Sequence, residues 1–183
     1  MFRIFAPLLT LLLIATPALA DCADDVCATL QRILQERSSN FAKIKGRPST
    51  APKGDLGWEG LQPVPGLFNY CFVYARGGES PYEYRCDASG LDGAGWLSVD
   101  QARQIAEAVK TAFQSADAKL TWFIDGDSFA LSKIAGFESS QAWYGGPAAD
   151  RLIVKVSVFG SDATGTSVSL IVFAKPLSGA DVR

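Results

Sequence analysis

Two aromatic-rich runs that each carry one cysteine constrain this fold more than any other feature. They lie in the segment 67–88, LFNYCFVYARGGESPYEYRCDA, on either side of a glycine-containing turn. If the runs pair as a hairpin centred between Gly78 and Glu79, residues whose numbers sum to 157 face each other. Cys71 then faces Cys86, with Cβ atoms about 4.5–5.5 Å apart, which is close to what a disulfide can bridge.

The same register sorts the remaining side chains of the hairpin between two faces. Val73 opposite Tyr84 and Ala75 opposite Tyr82 join the cysteines on an apolar face. The second face is mixed and partly solvated, because the register places Phe72 opposite Arg85 and Tyr74 opposite Glu83. Four tyrosines line the hairpin: Tyr70, Tyr74, Tyr82 and Tyr84. Cross-strand aromatic packing accounts for them, and a recognition face is the alternative.

Residues 1–20 have the pattern of a secretory signal peptide. A short start containing Arg3 precedes the apolar run Leu8–Ile14, and Ala18-Leu19-Ala20 is a cleavage signal. The apolar run is too short to span a bilayer. We therefore expect a periplasmic or secreted protein, with residues 21–183 as one domain and no stable membrane insertion. Asp21 before Cys22 argues against lipid attachment.

The four cysteines predict two disulfides. All of them follow the cleavage site, and an even number in an exported chain indicates bridges. Pairing Cys71 with Cys86 leaves Cys22 with Cys27. The alternative is two long-range bridges that tie the N-terminus to the hairpin. A zinc site is not expected, because the chain has no C-x-x-C and no histidine.

Two helices are predicted. Apolar residues recur at helical spacing across Ala23–Lys43, and the segment Ser38–Asn40 is expected to fray or kink this helix. Ser98 and Gln101 form a capping-box pattern that begins the second helix. The intervening segment Arg47–Gly66 is rich in proline and glycine and is predicted to be a long connector.

The strands of the second half follow from alternation and turn signals. Lys119–Ile124 and Phe129–Ile134 flank an Asp-Gly-Asp-Ser turn and are predicted to form a hairpin. Gly136–Asp150 is expected to be irregular. Arg151–Phe159 and Thr166–Ala174 alternate apolar and polar residues and are the clearest strands.

The predicted fold is therefore α+β. The elements follow the order α-β-β-α-β-β-β-β, with a mainly antiparallel sheet of about six strands and two helices on one face. A disulfide braces the hairpin, and the sequence shows no internal repeat.

Composition and motifs exclude several function classes. The net charge of −2, which becomes about −3 without Arg3, argues against nucleic-acid binding. The absence of histidine excludes serine–histidine and cysteine–histidine catalysis and histidine metal sites. No phosphate-binding, dinucleotide-binding or nucleophile-elbow motif occurs, so the sequence predicts no catalytic residue, no metal and no cofactor.

Carboxylates are the remaining catalytic candidates, because a glycosidase needs two of them in a cleft. Nothing in their spacing selects a pair; the candidates are Glu59, Glu83, Asp125, Asp127, Glu138 and Asp150. Asp125 and Asp127 flank a glycine in a predicted turn, where aspartate is common for conformational reasons.

Tryptophans beside glycines are the best candidates for binding. Trp58 lies in the long connector, and Trp143 with Tyr144 lies in the irregular segment before two glycines. The alternative is that each folds inward and anchors its loop. Trp96 precedes the Ser98 cap and is expected to be structural, and Trp122 lies in a predicted strand and is expected in the core.

These features favour a non-enzymatic exported protein. We expect it to bind another envelope or secreted protein, as an inhibitor, an immunity protein or an envelope assembly factor does. The alternative is a glycan- or peptidoglycan-directed binding protein or a carboxylate-based hydrolase. A carrier of a small ligand is a third option, and the oligomeric state does not follow from the sequence.

Overall fold

The computed structural model describes residues 24–50, 56–68, 70–75, 82–88, 97–124, 139–161 and 165–177. These residues form two α-helices, α1 (Asp25–Gln35) and α2 (Val99–Ala116), and one antiparallel sheet. The strands are β1 (Lys45–Thr50), β2 (Leu56–Gly60), β3 (Tyr70–Ala75), β4 (Tyr82–Ala88), β5 (Thr121–Ile124), β6 (Ser139–Gly146), β7 (Leu152–Ser161) and β8 (Gly165–Leu177). The α+β class is confirmed, with eight strands in this part of the chain rather than about six.

Both helices begin at capped N-termini. The Asp24 carboxylate accepts a hydrogen bond from the Cys27 backbone N–H at 2.7 Å. At α2 the predicted capping box is present: the Gln101 N–H donates to Ser98 Oγ at 3.2 Å, and the Ser98 N–H donates to Gln101 Oε1 at 2.9 Å. These bonds satisfy amide groups that have no partner inside the first helical turn.

The first helix is shorter than the predicted range Ala23–Lys43. It ends at Gln35 and is followed by a 3₁₀ turn over Glu36–Ser39. Asn40 and Phe41 then both have positive φ, 53° and 61°. The α-helix thus ends before the predicted kink at Ser38–Asn40, and the 3₁₀ turn and the left-handed Asn40 occupy the kink itself. Serine and asparagine compete for backbone hydrogen bonds and favour helix ends, which explains why the chain does not continue as a helix through them.

The sheet consists of two four-stranded meanders that meet at its centre. Its strand order is β1-β2-β3-β4-β8-β7-β6-β5, so β4 and β8 are neighbours. One helix precedes each meander, α1 before β1–β4 and α2 before β5–β8. The two halves therefore share one element order, although the sequence shows no repeat.

Two segments predicted to be irregular are strands. The segment Arg47–Gly66, predicted to be a connector, contains most of β1 and all of β2, and the segment Gly136–Asp150 contains β6. Pro48 is tolerated because β1 is an edge strand. The glycines that suggested loops lie where atoms of other residues come too close to leave room for a Cβ. A Cβ on Gly60 would lie 2.6 Å from the Tyr84 hydroxyl, and one on Gly146 would collide with the Arg151 carbonyl.

The hydrophobic core lies between the helices and one face of the sheet, which we call the helix face. Both helices supply fully buried side chains to one continuous cluster, as predicted: Leu30, Ile33, Ala102, Ala106, Val109 and Phe113. The sheet contributes alternate residues of its central strands: Val73, Tyr84, Val154, Val156, Leu170 and Val172. The alanines of α2 allow this helix to approach the sheet closely.

The register of the cysteine hairpin is confirmed. In the β3–β4 pair Cys71 faces Cys86, Val73 faces Tyr84 and Ala75 faces Tyr82. Cys71 and Cys86 form a disulfide.

Other predictions are partly covered by the structure. Cys27 is also disulfide-bonded, while Cys22, its predicted partner, lies outside the described residues. The strand predicted at Lys119–Ile124 is present as β5. Its predicted hairpin partner Phe129–Ile134 lies outside the described residues, as does Trp96.

Candidate functional site

The predicted binding residues Trp143 and Tyr144 are consecutive in β6, so they lie on opposite faces of the sheet. Each is only 7% exposed. Trp143 belongs to the main core on the helix face. Tyr144 packs with Ala142 and Leu152 in a second cluster. Burial raises the pKa of the Tyr144 hydroxyl. The two residues therefore do not form one loop surface.

Trp58 is half-buried in β2, far from the other two candidates. Its ring stacks on Tyr82 at a centroid distance of 5.9 Å, and Lys45 Nζ lies 4.2 Å from its centroid. Five strand spacings, about 24 Å, separate β2 from β6 in the sheet. The structure thus places the three predicted residues at separate sites.

Trp58 and Trp143 nevertheless occupy matching positions in the two halves. Each lies in the second strand of its half and faces a valine in the third strand. The two rows are Trp58–Val73–Tyr84 and Trp143–Val156–Leu170. Each indole also has a lysine above it, Lys45 at 4.2 Å and Lys110 at 4.7 Å from the ring centroid. Trp122, predicted in the core, is half-buried in β5 and packs against the same core.

The surface that stands out lies on the other side of the first meander. Alternation in β3 turns Tyr70, Phe72 and Tyr74 away from the buried residues Cys71 and Val73. Tyr70 is 71% exposed, Phe72 and Tyr74 are half-buried, and the rings of Phe72 and Tyr74 lie 5.8 Å apart.

Leu61 extends this aromatic row at its edge. It is 53% exposed and directly follows β2, the strand that neighbours β3. We call the surface formed by Leu61, Tyr70, Phe72 and Tyr74 the aromatic face.

Ion pairs lie on both sides of the aromatic face. On the β1–β2 side, Arg47 Nε lies 3.3 Å from Glu59 Oε2. On the β4 side, Arg85 Nε lies 2.9 Å from Asp87 Oδ2. Glu83, opposite Tyr74, adds a further carboxylate. The apolar row therefore has a polar rim that includes two ion pairs.

Sequence reasoning identified this mixed surface but did not select it as the site. The register already placed Phe72 opposite Arg85 and Tyr74 opposite Glu83, and the structure confirms both pairs. The sequence favoured cross-strand aromatic packing for the tyrosines. Tyr82 and Tyr84 do pack on aromatic rings, but on Trp58 of β2 and on Phe41, which lie outside the hairpin. The missed signal is the two-residue period of the strand. Tyr70, Phe72 and Tyr74 alternate with the buried Cys71 and Val73, so all three side chains must lie on the face opposite the core.

The acidic candidates do not come together in the described structure. Glu59 is paired with Arg47, and β3 separates β2, which carries Glu59, from β4, which carries Glu83. Asp150 is exposed in a turn. Asp125, Asp127 and Glu138 lie outside the described residues. Within the described ranges, no three histidine, cysteine, aspartate or glutamate residues are grouped as a metal site would require.

Among the described residues, neither helix has the length and apolar character needed to span a membrane. The Cys71–Cys86 disulfide is consistent with an oxidising, exported compartment.

Comparisons with known proteins supply no relative from which a role could be taken. A scan of protein-family models, a search of curated proteins and a search of solved structures each found no match to this chain.

Proposed function

We propose that the chain is an exported, non-enzymatic protein that binds another envelope or secreted protein through the aromatic face. The observation that carries this proposal is Tyr70, whose large aromatic side chain is 71% exposed beside Phe72. A contiguous apolar surface with a polar rim is typical of a protein–protein interaction site.

The residue types on this face suit such a role. Tyrosine, phenylalanine and arginine are enriched at protein interfaces, and tyrosine and arginine are enriched among the residues that dominate binding energy. Tyr70 offers a large apolar ring and a hydroxyl that can remain hydrogen-bonded at the interface rim. Arg85 is partly exposed beside the row and is held by Asp87, so its position is already fixed.

The face is also preorganised for binding. Its strand, β3, lies between β2 and β4, and a disulfide joins it to β4 behind the aromatic row. Cys71 and Val73, which alternate with the exposed aromatics, are 5% and 0% exposed and anchor β3 in the core. A rigid strand loses little conformational entropy on association, and therefore more of the contact energy appears as affinity.

The charges on the face indicate the chemistry of the partner. Among the described residues of this face, Arg47 pairs with Glu59 and Arg85 pairs with Asp87, so these two ion pairs carry no net charge. We therefore infer a partner with an apolar patch inside a polar rim rather than a strongly charged surface. Its association should depend only weakly on salt concentration, since long-range charge attraction contributes little.

Export is part of the same proposal. Residues 1–20 have the pattern of a cleaved signal peptide, and a disulfide of the Cys71–Cys86 kind persists in oxidising compartments. The proposed partner is accordingly an exported protein in the periplasm or outside the cell.

The test is affinity capture from the exported protein fraction with four oxidised forms of the mature chain. These are the unchanged protein, Tyr70→Ala, Phe72→Ala and the control Phe123→Ala. Phe123 is 40% exposed but lies in β5, at the far end of the sheet. The control therefore removes an exposed phenylalanine without touching the aromatic face.

We expect one exported protein to be retained by the unchanged chain and by Phe123→Ala. Its dissociation constant should rise at least about tenfold for Tyr70→Ala, because a tenfold change needs only about 1.4 kcal/mol. Equal capture by all four forms, or loss with Phe123→Ala alone, would rule out the aromatic face as the binding surface.

A further inference from the structure

A groove lies in the other half of the sheet, away from the aromatic face. It has a volume of about 310 Å³ and lies between the outer side of α2 and the strands β5 and β6. This volume is at the lower end of the about 300–1,000 Å³ typical of small-molecule sites. At least four strand spacings, about 19 Å, separate β3 of the aromatic face from β6 of the groove.

Local sequence explains both walls of the groove. The helix wall carries Glu107, Lys110 and Gln114, which share one side of α2 because they are three and four residues apart. The strand wall carries Trp122, Phe123 and Trp143. The β5–β6 register slips between Trp122 and Ile124, so consecutive aromatic residues line one groove.

Gly145 makes room for the strand wall. It pairs with Trp122 across β5 and β6. A Cβ at this position would lie 3.0 Å from both the Trp122 ring and a Val154 methyl group. A larger residue would therefore require Trp122 or its neighbours Val154 and Leu120 to shift.

The charges that line the groove neutralise each other. Lys110 Nζ lies 2.9 Å from Glu107 Oε1 and 4.7 Å from the centroid of the Trp143 ring. The Lys110 side chain is only 16% exposed, whereas that of Glu107 is 62% exposed. Since the one cation and the one anion among the described lining residues are already paired, these residues give the groove no net charge with which to select an ionic ligand.

The helix wall of the groove is polar and the strand wall is aromatic. This combination suits a neutral ligand that has both apolar faces and hydroxyl groups. A sugar ring presents C–H groups on its faces and hydroxyl groups around its edge. Its faces can pack on aromatic rings, and its hydroxyls can exchange hydrogen bonds with an amide such as that of Gln114 and a carboxylate such as that of Glu107. We infer that the groove between α2 and β5–β6 binds a neutral carbohydrate of one or two sugar rings.

The experiment follows the indole N–H signals of the mature, oxidised protein by NMR during titration. The probes are three neutral disaccharides, chitobiose, cellobiose and maltose, and the anionic disaccharide digalacturonate. The four tryptophans give separate signals that single Trp→Phe variants assign. Trp122 and Trp143 report on the groove, and Trp58, in the other half of the sheet, serves as the internal reference.

We expect at least one neutral disaccharide to shift the Trp122 and Trp143 signals, with a dissociation constant of about 1 mM or lower. Phe123→Ala should weaken that binding about tenfold, and Gln114→Ala should weaken it about threefold to tenfold, as expected for the loss of one hydrogen bond. Gln104→Ala is the matched control, because it makes the same exposed change on α2 outside the groove. Tyr70→Ala should also leave sugar binding unchanged.

Three results would overturn the assignment. The first is no shift of either groove signal by any neutral disaccharide at about 10 mM. The second is binding that Phe123→Ala and Gln114→Ala leave unchanged while the protein remains folded. The third is a lower dissociation constant for digalacturonate than for every neutral probe. None of these results bears on the aromatic face, whose test uses Tyr70 and Phe72.

Discussion

The Tyr84 hydroxyl forms two hydrogen bonds with the backbone of Gln62. It accepts from the Gln62 N–H and donates to the Gln62 carbonyl, each at 3.0 Å. Tyr84 is fully buried, and its ring packs on Phe41 at a centroid distance of 5.5 Å. This side chain fastens the segment after β2 to the core side of the hairpin, behind the aromatic face.

Tyr84→Phe should therefore destabilise the protein by about 1–3 kcal/mol. The substitution keeps the ring but leaves the Gln62 N–H and carbonyl without their partner, and unsatisfied polar groups carry a cost of that order. Urea denaturation measures the change. Tyr70→Phe is the control, since Tyr70 is 71% exposed, and it should stay within about 0.5 kcal/mol of the unchanged protein. Equal stability of the two variants would show that the Gln62 bonds contribute nothing.

Tyr84 also makes the free energy of unfolding depend on pH in the alkaline range. Burial raises the pKa of Tyr84 from 10.0 to about 12. The folded protein keeps this proton where the unfolded chain loses it, so the stabilisation is complete below about pH 10 and is lost as the pH rises to about 12. A difference of two units between the pKa of Tyr84 in the folded and unfolded states corresponds to about 2.7 kcal/mol of folding stability.

Measuring unfolding free energies from pH 8 to pH 12 in parallel for the unchanged protein and Tyr84→Phe isolates this effect. The other titrating groups are common to both proteins, so the advantage of the unchanged protein should shrink above about pH 10. An advantage that stays constant across this range would contradict the raised pKa.

Arg37 joins the 3₁₀ turn to β8. Its Nε donates to the Phe173 carbonyl at 2.6 Å, and its Nη2 donates to the Ala174 carbonyl at 3.4 Å. Burial lowers the pKa of this guanidinium. Arg37→Met should destabilise the protein by about 1.5–3 kcal/mol, the range for hydrogen bonds made by charged groups.

Thermal or urea denaturation of Arg37→Met should be compared with Arg47→Met. The Arg47 side chain is 86% exposed and forms a surface ion pair with Glu59, for which about 0–1 kcal/mol is typical. If the two variants lose the same stability, the link to β8 has no special role.

The Cys71–Cys86 disulfide should contribute about 3 kcal/mol to stability. The two cysteines are 15 residues apart, and closing a loop of that size restricts the unfolded chain by about this free energy. The double variant Cys71→Ala/Cys86→Ala should show this loss in urea denaturation at neutral pH. A midpoint equal to that of the oxidised protein would mean that the bridge does not stabilise the fold.

Local chemistry made part of the fold predictable. The hairpin register followed from one cysteine pair and the two-residue period of a strand, and α2 followed from the Ser98 capping box. The strands β1, β2 and β6 were missed because glycine and proline also signal turns. At Gly60 and Gly146 the absence of a Cβ serves close packing, which depends on residues distant in sequence.

The site was less predictable for the same reason. Trp143 and Tyr144 suggested a binding loop, but strand alternation sends them to opposite faces and both are buried. Trp58 and Trp143 match only through the pairing of the strands, which no local pattern reveals. The aromatic face could have been derived from the sequence. Tyr70, Phe72 and Tyr74 occupy alternate positions with Cys71 between them, so their side chains lie on the opposite face of the strand from the cysteine.

Site-specific photocrosslinking most directly tests whether the aromatic face binds a partner. A benzophenone-bearing phenylalanine replaces Tyr70 in one full-length chain and Phe123 in another, because both side chains are exposed and lie in opposite halves of the sheet. Irradiation in cells that export the protein should link one exported protein to position 70 and not to position 123. No adduct at position 70, or the same adducts at both positions, would contradict a partner bound on the aromatic face.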